Sequence, residues 1–405
     1  MLKKKFTILI PNATGPSNIG DQSMLFVLLK LLRQVYKNAE IVVHTSDPQM
    51  YAKQTPYLVS PSIYQYVGLR HKGEGKQIFT VIQYLMQFAL AVNDLQIKSN
   101  SILTRLINDY KRADLIIFVG GGYLRARKGW SQNLNLFLQL SMLYLASTCH
   151  VKIIVAPISF GPFAHPWQAK LSAWFLRKAD HVFAREDISY KIMRKYNIAH
   201  VIKSSDHALL LGKTKQRSGN VSVIGFTIRN WSKSTSGQKN LEDSYVYALQ
   251  NFHLKTGWSV QPIIQATAES PNEDDRITVG RVYKQLKQLK VNVKKPIVVS
   301  DLAHAIDTYS KLGLFLGMRM HSNIIAATQG VPFVAVSYEH KTEGIAKQID
   351  MQEYCISYEQ VNKDKLFGLL SEVYKKRKYL KQKLINSVAA IQDIETRRWS
   401  NFLAS

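Results

Sequence analysis

The stretch Leu312-Gly313-Leu314-Phe315-Leu316-Gly317-Met318-Arg319-Met320-His321-Ser322-Asn323-Ile324 decides the fold. The apolar run 312–316 has the composition of a parallel strand buried on both faces. It stops at Gly317. The apolar, Ala-rich segment 324–328 predicts a helix, and Gly330-Val331-Pro332 ends it. Arg319 and His321 therefore stand where a strand hands over to a helix N-terminus. Open α/β sheets bind ligands at such joints, because backbone N–H groups and the helix dipole favour anions there. Arginine adds a planar fork for a carboxylate or phosphate. Histidine adds a group that gives or takes a proton near neutral pH. An anion clamp beside a proton-transfer group points to an enzyme acting on a small acidic substrate.

Outward from this joint, apolar runs and amphipathic stretches alternate, as in doubly wound α/β proteins. Strands are predicted at 6–10, 41–44, 115–119, 153–156 and 181–184, and again at 221–227, 259–264, 297–299 and 333–337. Helices are predicted between them, one of them over 77–92. The polar, basic, glycine-bounded stretch 212–220 reads as a linker. At 405 residues two domains are expected. They are assigned to 1–212 and 221–385, with a C-terminal helix at 386–405 packing back on the first. Two Rossmann-like halves on one linker make an α/β, GT-B-like architecture, whose site is a cleft between the domains.

The chain carries 54 Lys+Arg against 28 Asp+Glu, a net charge of +26 at pH 7. Such an excess points to a polyanionic partner. No zinc finger, RNA-recognition signature or long basic arm is visible, so nucleic acid is not expected. The cluster Lys375-Lys376-Arg377-Lys378, with Lys381 and Lys383, lies beside Tyr379, Leu380 and Leu384. A basic face next to an apolar stripe suits an anionic membrane surface, and the apolar-faced segment 78–92 adds to that reading. A surface helix packed on its own domain has the same pattern. No apolar run reaches the ~18 residues of a membrane span, and the first apolar run is too short for a signal peptide. A cytoplasmic protein, peripheral on the inner membrane face, is expected. Cys149 and Cys355 lie far apart, outside any CxxC motif, so reduced thiols are expected and a structural metal is not.

Several further segments fall at strand ends. Asn18-Ile19-Gly20-Asp21-Gln22 follows the first strand; Gly20 permits a tight turn, and Asp21 is expected as helix N-cap or ligand contact. Gly120-Gly121-Gly122-Tyr123-Leu124 lets the backbone approach a ligand or pack tightly. It lacks the GxGxxG pattern of dinucleotide sites. Ser159, in Pro157-Ile158-Ser159-Phe160-Gly161-Pro162-Phe163, lacks a GxSxG elbow and is a poor nucleophile. Arg229 ends the first strand of the second half and is either a second cation facing the cleft or a surface arginine. Lys341 follows the strand 333–337 and is expected near the helix of His321.

These segments together resemble the polysaccharide pyruvyl transferase family. The resemblance runs in family order from Asn18-Ile19-Gly20-Asp21 through Gly120-Gly121-Gly122-Tyr123-Leu124 and Ser159-Phe160-Gly161-Pro162-Phe163. It continues with Arg185-Glu186-Asp187-Ile188-Ser189, Ser205-Asp206-His207-Ala208-Leu209-Leu210, Gly317-Met318-Arg319-Met320-His321, Gly330-Val331-Pro332 and Ser337-Tyr338-Glu339-His340-Lys341. His207 departs from it, since the family more often has proline after the aspartate. The resemblance implies transfer of the carboxyethylidene group of phosphoenolpyruvate to two sugar hydroxyls, giving a pyruvate ketal and phosphate. It implies no cofactor beyond phosphoenolpyruvate as co-substrate, and a glycan acceptor, either a polysaccharide or its lipid-linked precursor. His321 is then the catalytic residue. Arg319, Arg229, Lys341, Ser322 and Asn323 are donor-binding candidates in the second, donor-side half. Asn18, Asp21, Gly121, Gly122 and Ser159 are acceptor or cleft candidates. A GT-B glycosyltransferase using a nucleotide sugar shares the fold, and a non-catalytic polyanion- or membrane-binding protein would share the charge.

Overall fold

The computed structural model describes residues 5–14, 18–52, 56–64, 102–212, 221–231, 234–267 and 274–404. The expected helix at 77–92 and the linker residues 213–220 lie outside them. The chain divides into two compact units: 1–16, 24–206 and 402–405 form the first, and 17–23 with 207–401 the second.

The first unit holds a sheet of β1 (Thr7–Ala13), β2 (Glu40–Thr45), β3 (Leu58–Pro61), β4 (Leu115–Phe118), β5 (Gly121–Ala126), β6 (Lys152–Phe163), β7 (His181–Ala184) and β8 (Val201–Lys203). Its order is β3-β2-β1-β4-β6-β7-β8, with β5 beside β6. The pairings are parallel. The helices are α1 (Ile19–Val35), α2 (Pro48–Ala52), α3 (Ile102–Arg112), α4 (Trp130–Ser147), α5 (Pro166–Leu176) and α6 (Asp187–Lys195); the first turn of α1 groups with the second unit. β4 reads LIIF and is buried throughout, as a strand covered on both faces requires.

The second unit holds β9 (Val223–Thr227), β10 (Ser259–Ile264), β11 (Ile297–Val298), β12 (Leu314–Gly317), β13 (Phe333–Ser337) and β14 (Cys355–Ser357), in the order β11-β10-β9-β12-β13-β14. Its helices are α7 (Thr235–Thr256), α8 (Asp275–Gln288), α9 (Leu302–Ser310), α10 (Met320–Thr328), α11 (His340–Gln348), α12 (Lys363–Lys375) and α13 (Arg377–Ala404). In both sheets the strand order reverses once, between β1 and β4 and between β9 and β12. Ligands of open parallel sheets bind beyond the strand C-termini at that reversal. β9 leads into Arg229, and β12 into Arg319 and His321.

Three expectations change. The strand expected to end at 156 runs on to Phe163, and residues 121–126, expected beyond a strand end, form β5 beside it. A Cβ on Gly120 would overlap the Pro157 carbonyl oxygen, so this glycine serves tight backbone packing. The boundary between units falls after Asp206, ahead of the expected linker. Gln392 of α13 explains this: its Nε2 donates to the Leu209 and Leu211 carbonyls, both at 2.8 Å. Trp399 also packs edge-on to His207 at 4.7 Å. The C-terminal helix starts at Arg377 and counts with the second unit up to Asn401. Phe402 counts with the first unit, where its ring meets His181 and Phe183 edge-on.

The basic run 375–383 does not carry a free apolar stripe. Leu380 and Leu384 are only 1% and 0% exposed, since the stripe is spent on the protein's own core. Charge and Tyr379 are what face outward. Among the described residues no helix is long and apolar enough to cross a membrane. Cys149 and Cys355 form no disulfide, and burial pushes the Cys355 thiol up to about 12.

The motif Arg185-Glu186-Asp187-Ile188-Ser189 forms a polar core in the first unit. Arg185 and Asp206, both buried, pair at 2.9 Å. Arg185 Nε also donates to Ser159 Oγ at 2.7 Å, and Ser159 Oγ donates to Glu186 at 2.7 Å. Glu186 in turn caps α6 by accepting from the Ser189 N–H at 2.8 Å. Removing one partner of a buried pair costs about 3–5 kcal/mol. Asp206→Ala is therefore expected to lower the unfolding free energy of the first unit by that order, read as a fall in the urea midpoint. An unchanged midpoint would mean that Arg185 finds equal compensation elsewhere.

Candidate active site

The site is built in the second unit. Arg319 is the N-cap of α10 and has an extended backbone (φ −76°, ψ 125°). Its side chain, 8% exposed, donates through Nε and Nη2 to Asp275 Oδ1 at 3.0 and 2.7 Å. Asp275 is wholly buried at the start of α8. Its other oxygen accepts from the backbone N–H groups of Gln265 and Ala266 at 3.3 and 3.1 Å. Burial pushes the Asp275 carboxyl up, and Arg319 with the Ala266 N–H offsets this only in part. The arginine fork thus arrives pre-oriented by a carboxylate that the sequence reading did not single out.

His321, half-buried, is the second residue of α10. Its imidazole lies against the backbone of Gly20. A Cβ at position 20 would overlap its Nδ1 and Cγ, so only glycine permits this contact. The segment carrying Gly20 is held in place by Asn18, which forms an antiparallel bridge with Ala266. Asn18 is also the cap of α1. Its Oδ1 accepts from the Gly20 N–H at 3.0 Å, and its Nδ2 donates to Asp21 at 3.0 Å. That corrects the expected cap, Asp21. Asn18 stands just before the helix, where a short side chain reaches the second N–H. Asp21 sits inside the first turn, where its charge suits the dipole.

Arg229, 4% exposed, is not a surface arginine. Its Nη1 donates to the Tyr338 hydroxyl at 3.1 Å. Its guanidinium lies 4.9 Å from the Tyr338 ring centroid and 5.1 Å from that of Trp231, within reach of cation–π attraction. Lys341 pairs with Glu339 at 2.8 Å and lies 6.0 Å from the Tyr338 ring. Burial pushes the Tyr338 phenol up, but Lys341, Arg229 and Arg319 outweigh it and hold the phenol below its ordinary value. Glu343 accepts from the Ser337 hydroxyl at 2.8 Å.

Ser322 and Asn323 serve the joint between strand and helix. The Ser322 hydroxyl meets Thr227 Oγ1 at 3.0 Å and donates to the Arg319 carbonyl. Asn323 Nδ2 donates to the Gly317 carbonyl at 3.3 Å. Both side chains are buried, so the structure places them under Arg319 and His321 and not as open donor-binding groups. Gly121, Gly122 and Ser159 belong to the first unit. Gly121 and Gly122 lie in β5, and Ser159, 1% exposed, has its hydroxyl committed to Arg185 and Glu186. It cannot offer that hydroxyl to an acceptor.

The reasoning from sequence missed Asp275, Trp231 and the role of Tyr338. Asp275 had a signal, an acid one residue into a helix that follows a strand. Tyr338 stood in a quoted motif, one residue beyond a strand end and amid cations.

Two parallel sheets, each reversing its strand order once, with cations beyond the strand ends, define the GT-B class. The putative UDP-N-acetylglucosamine 2-epimerase of Listeria monocytogenes superposes with a TM-score of 0.58 at 10% identity, over 95% of this chain and 91% of that one. Anabaena HepE in complex with UDP-glucose gives 0.56 at 12%, over 99% and 98%. Within that class, the sequence model of the polysaccharide pyruvyl transferase family matches residues 18–340, and this chain belongs to that family. It is 22% identical over 312 residues to the amylovoran biosynthesis protein AmsJ of Erwinia amylovora, covering 71% of each chain.

The Gly20 contact gives a direct test. In Gly20→Ala the new methyl displaces the His321 ring at an overpacking cost of about 1–3 kcal/mol. NMR of imidazole-labelled protein should show shifted His321 resonances while the fold persists. Unmoved resonances would mean that the ring does not rest on Gly20.

Proposed function

We propose that the protein transfers the carboxyethylidene group of phosphoenolpyruvate to two hydroxyls of a glycan, a polysaccharide or its lipid-linked precursor, at the cytoplasmic membrane face. The observation that carries this reading is the pair Arg229 and Arg319 beyond β9 and β12, the two strands at the order reversal, with His321 two residues on. A small carboxylate bearing a phosphate suits two guanidinium forks and Lys341. No cofactor enters this reading; phosphoenolpyruvate is a co-substrate.

The atoms balance as follows. The methylene carbon C3 gains a proton, which makes C2 electrophilic. One acceptor hydroxyl bonds to C2 and loses its proton. The bond from C2 to the phosphate oxygen breaks with its electron pair. The second hydroxyl then bonds to C2 and loses its proton. Two protons leave the hydroxyls; one ends on C3 and one on phosphate. His321 is a natural carrier for the first, because an imidazole moves protons near neutral pH.

Purified protein incubated with phosphoenolpyruvate and a panel of glycans should release phosphate and form a ketal. Release of a nucleoside diphosphate from UDP-sugars instead would replace this reading with glycosyl transfer. His321→Gln should lower kcat by about 10²–10⁴-fold with donor affinity nearly kept. Arg319→Lys should weaken donor binding by about 1.5–3 kcal/mol, the worth of one charged hydrogen bond. Isothermal titration of phosphoenolpyruvate separates the two, and equal affinities for wild type and Arg319→Lys would make Arg319 purely structural.

A further inference from the structure

We propose that Tyr338 is the second proton-carrying group of this site: its phenol protonates the oxygen through which phosphate leaves C2, and then recovers a proton from the second attacking hydroxyl. The proposal rests on reading the site as a phosphoenolpyruvate site and assigns the proton step that His321 leaves open.

Tyr338 is the first residue beyond β13, the strand next to β12. Its oxygen accepts a hydrogen bond from Arg229 Nη1 at 3.1 Å. A guanidinium only donates, so the phenol's own hydrogen cannot point at Arg229. That hydrogen is left for another acceptor, and the guanidinium 3.1 Å away is the group that would grip the anion. The ring is fixed there. Its centroid lies 4.4 Å from that of Trp231, and the guanidinium carbon of Arg229 is near both rings. Lys341 is also near, with its ammonium 6.0 Å from the ring centroid.

The charged groups that bear on the phenol are Lys341, Arg229, Arg319 and Glu339. Three cations against one carboxylate favour the ionised form, and the net effect is a phenol more acidic than free tyrosine. A more acidic phenol is a better proton donor to a departing phosphate. The nearby carboxylates are already engaged: Asp275 with Arg319, Glu339 with Lys341 and Glu343 with Ser337. The step is balanced. The electron pair of the breaking C2–O bond stays on phosphate oxygen, which takes the Tyr338 proton. The second acceptor hydroxyl bonds to C2 and returns its proton to Tyr338. The phenol ends as it began, and no oxidant or reductant is needed.

The test is Tyr338→Phe, with 3-fluorotyrosine at 338 as a second variant. The phenylalanine variant should lose about 10²-fold in kcat while phosphoenolpyruvate affinity stays nearly unchanged. Only the protonated phenol donates, so wild-type kcat should fall as pH rises through its ionisation. That alkaline limb should vanish in Tyr338→Phe and move to lower pH with the more acidic 3-fluorotyrosine. A hydroxyl with a merely structural role would not move the limb. A second readout needs no turnover. The ultraviolet phenolate absorbance of wild type minus Tyr338→Phe isolates this phenol among 20 tyrosines. Adding inorganic phosphate should raise its ionisation pH, because the anion neutralises Arg229 and Lys341. Phosphoenolpyruvate turnover with kcat and pH profile unchanged in Tyr338→Phe, or no absorbance shift with bound phosphate, overturns the role of Tyr338 and leaves the functional reading standing. Absence of phosphate release with every acceptor overturns that reading and this role with it.

Discussion

The carboxylate of Asp275 is the constraint on which the second unit's site depends. A charge buried this deeply is tolerated only when its oxygens are used by donors. Here one oxygen takes both donors of Arg319, and the other takes the N–H groups that follow β10. A single group thereby fixes the start of α8, the exit of β10 and the arginine fork. The exit of β10 carries the order further, because Ala266 bridges Asn18 and so places the turn that holds Gly20 under His321. The imidazole owes its orientation to a carboxylate that belongs to a different element. The same carboxylate reduces the charge that Arg319 shows to an incoming anion, so orientation is gained at some cost in attraction.

Much of the fold was legible because its strands are covered on both faces. The run 312–316 and the segment 333–337 are unbroken apolar stretches, and periodicity arguments handle those well. The edges were not legible. β3, β8 and β14 are short and mixed in composition, and they become strands by pairing with a neighbour. At Gly120 glycine permits both a ligand loop and close packing, and only the proximity of Pro157 decides for packing. The apolar stripe 380–384 left two readings open for a similar reason. A helix pattern states that one face is apolar, but not whether that face meets a membrane or its own core.

The site was legible where chemistry and chain position coincide. Arg319 and His321 are adjacent in sequence and follow a recognisable strand, so their joint role needs no tertiary knowledge. Asp275 is 44 residues from Arg319 and Tyr338 is 109 from Arg229, and the pairing of such distant residues is set by strand order. The order β9-β12 at the reversal brings them together, and single-sequence patterns do not specify that order. Ser159 shows the converse. It stands in a segment that carries the family resemblance, yet its hydroxyl satisfies the buried Arg185 and Glu186, which is an equally strong reason for a polar residue at a fixed place.

The fold itself does not choose the chemistry. Proteins described with UDP-sugars share it at 10–12% identity, and identity that low carries the fold alone. In this chain each cation of the site is oriented by near neighbours. Arg319 rests on a carboxylate, and Lys341 rests on Glu339. Arg229 meets the faces of Trp231 and Tyr338 and one phenol oxygen. Aromatic faces orient a guanidinium without cancelling its charge, whereas a carboxylate does both. Arg319, Lys341 and Arg229 together make an oriented positive centre beyond the strand ends. Such a centre suits a compact anion, because oriented guanidinium and ammonium donors converge on one place.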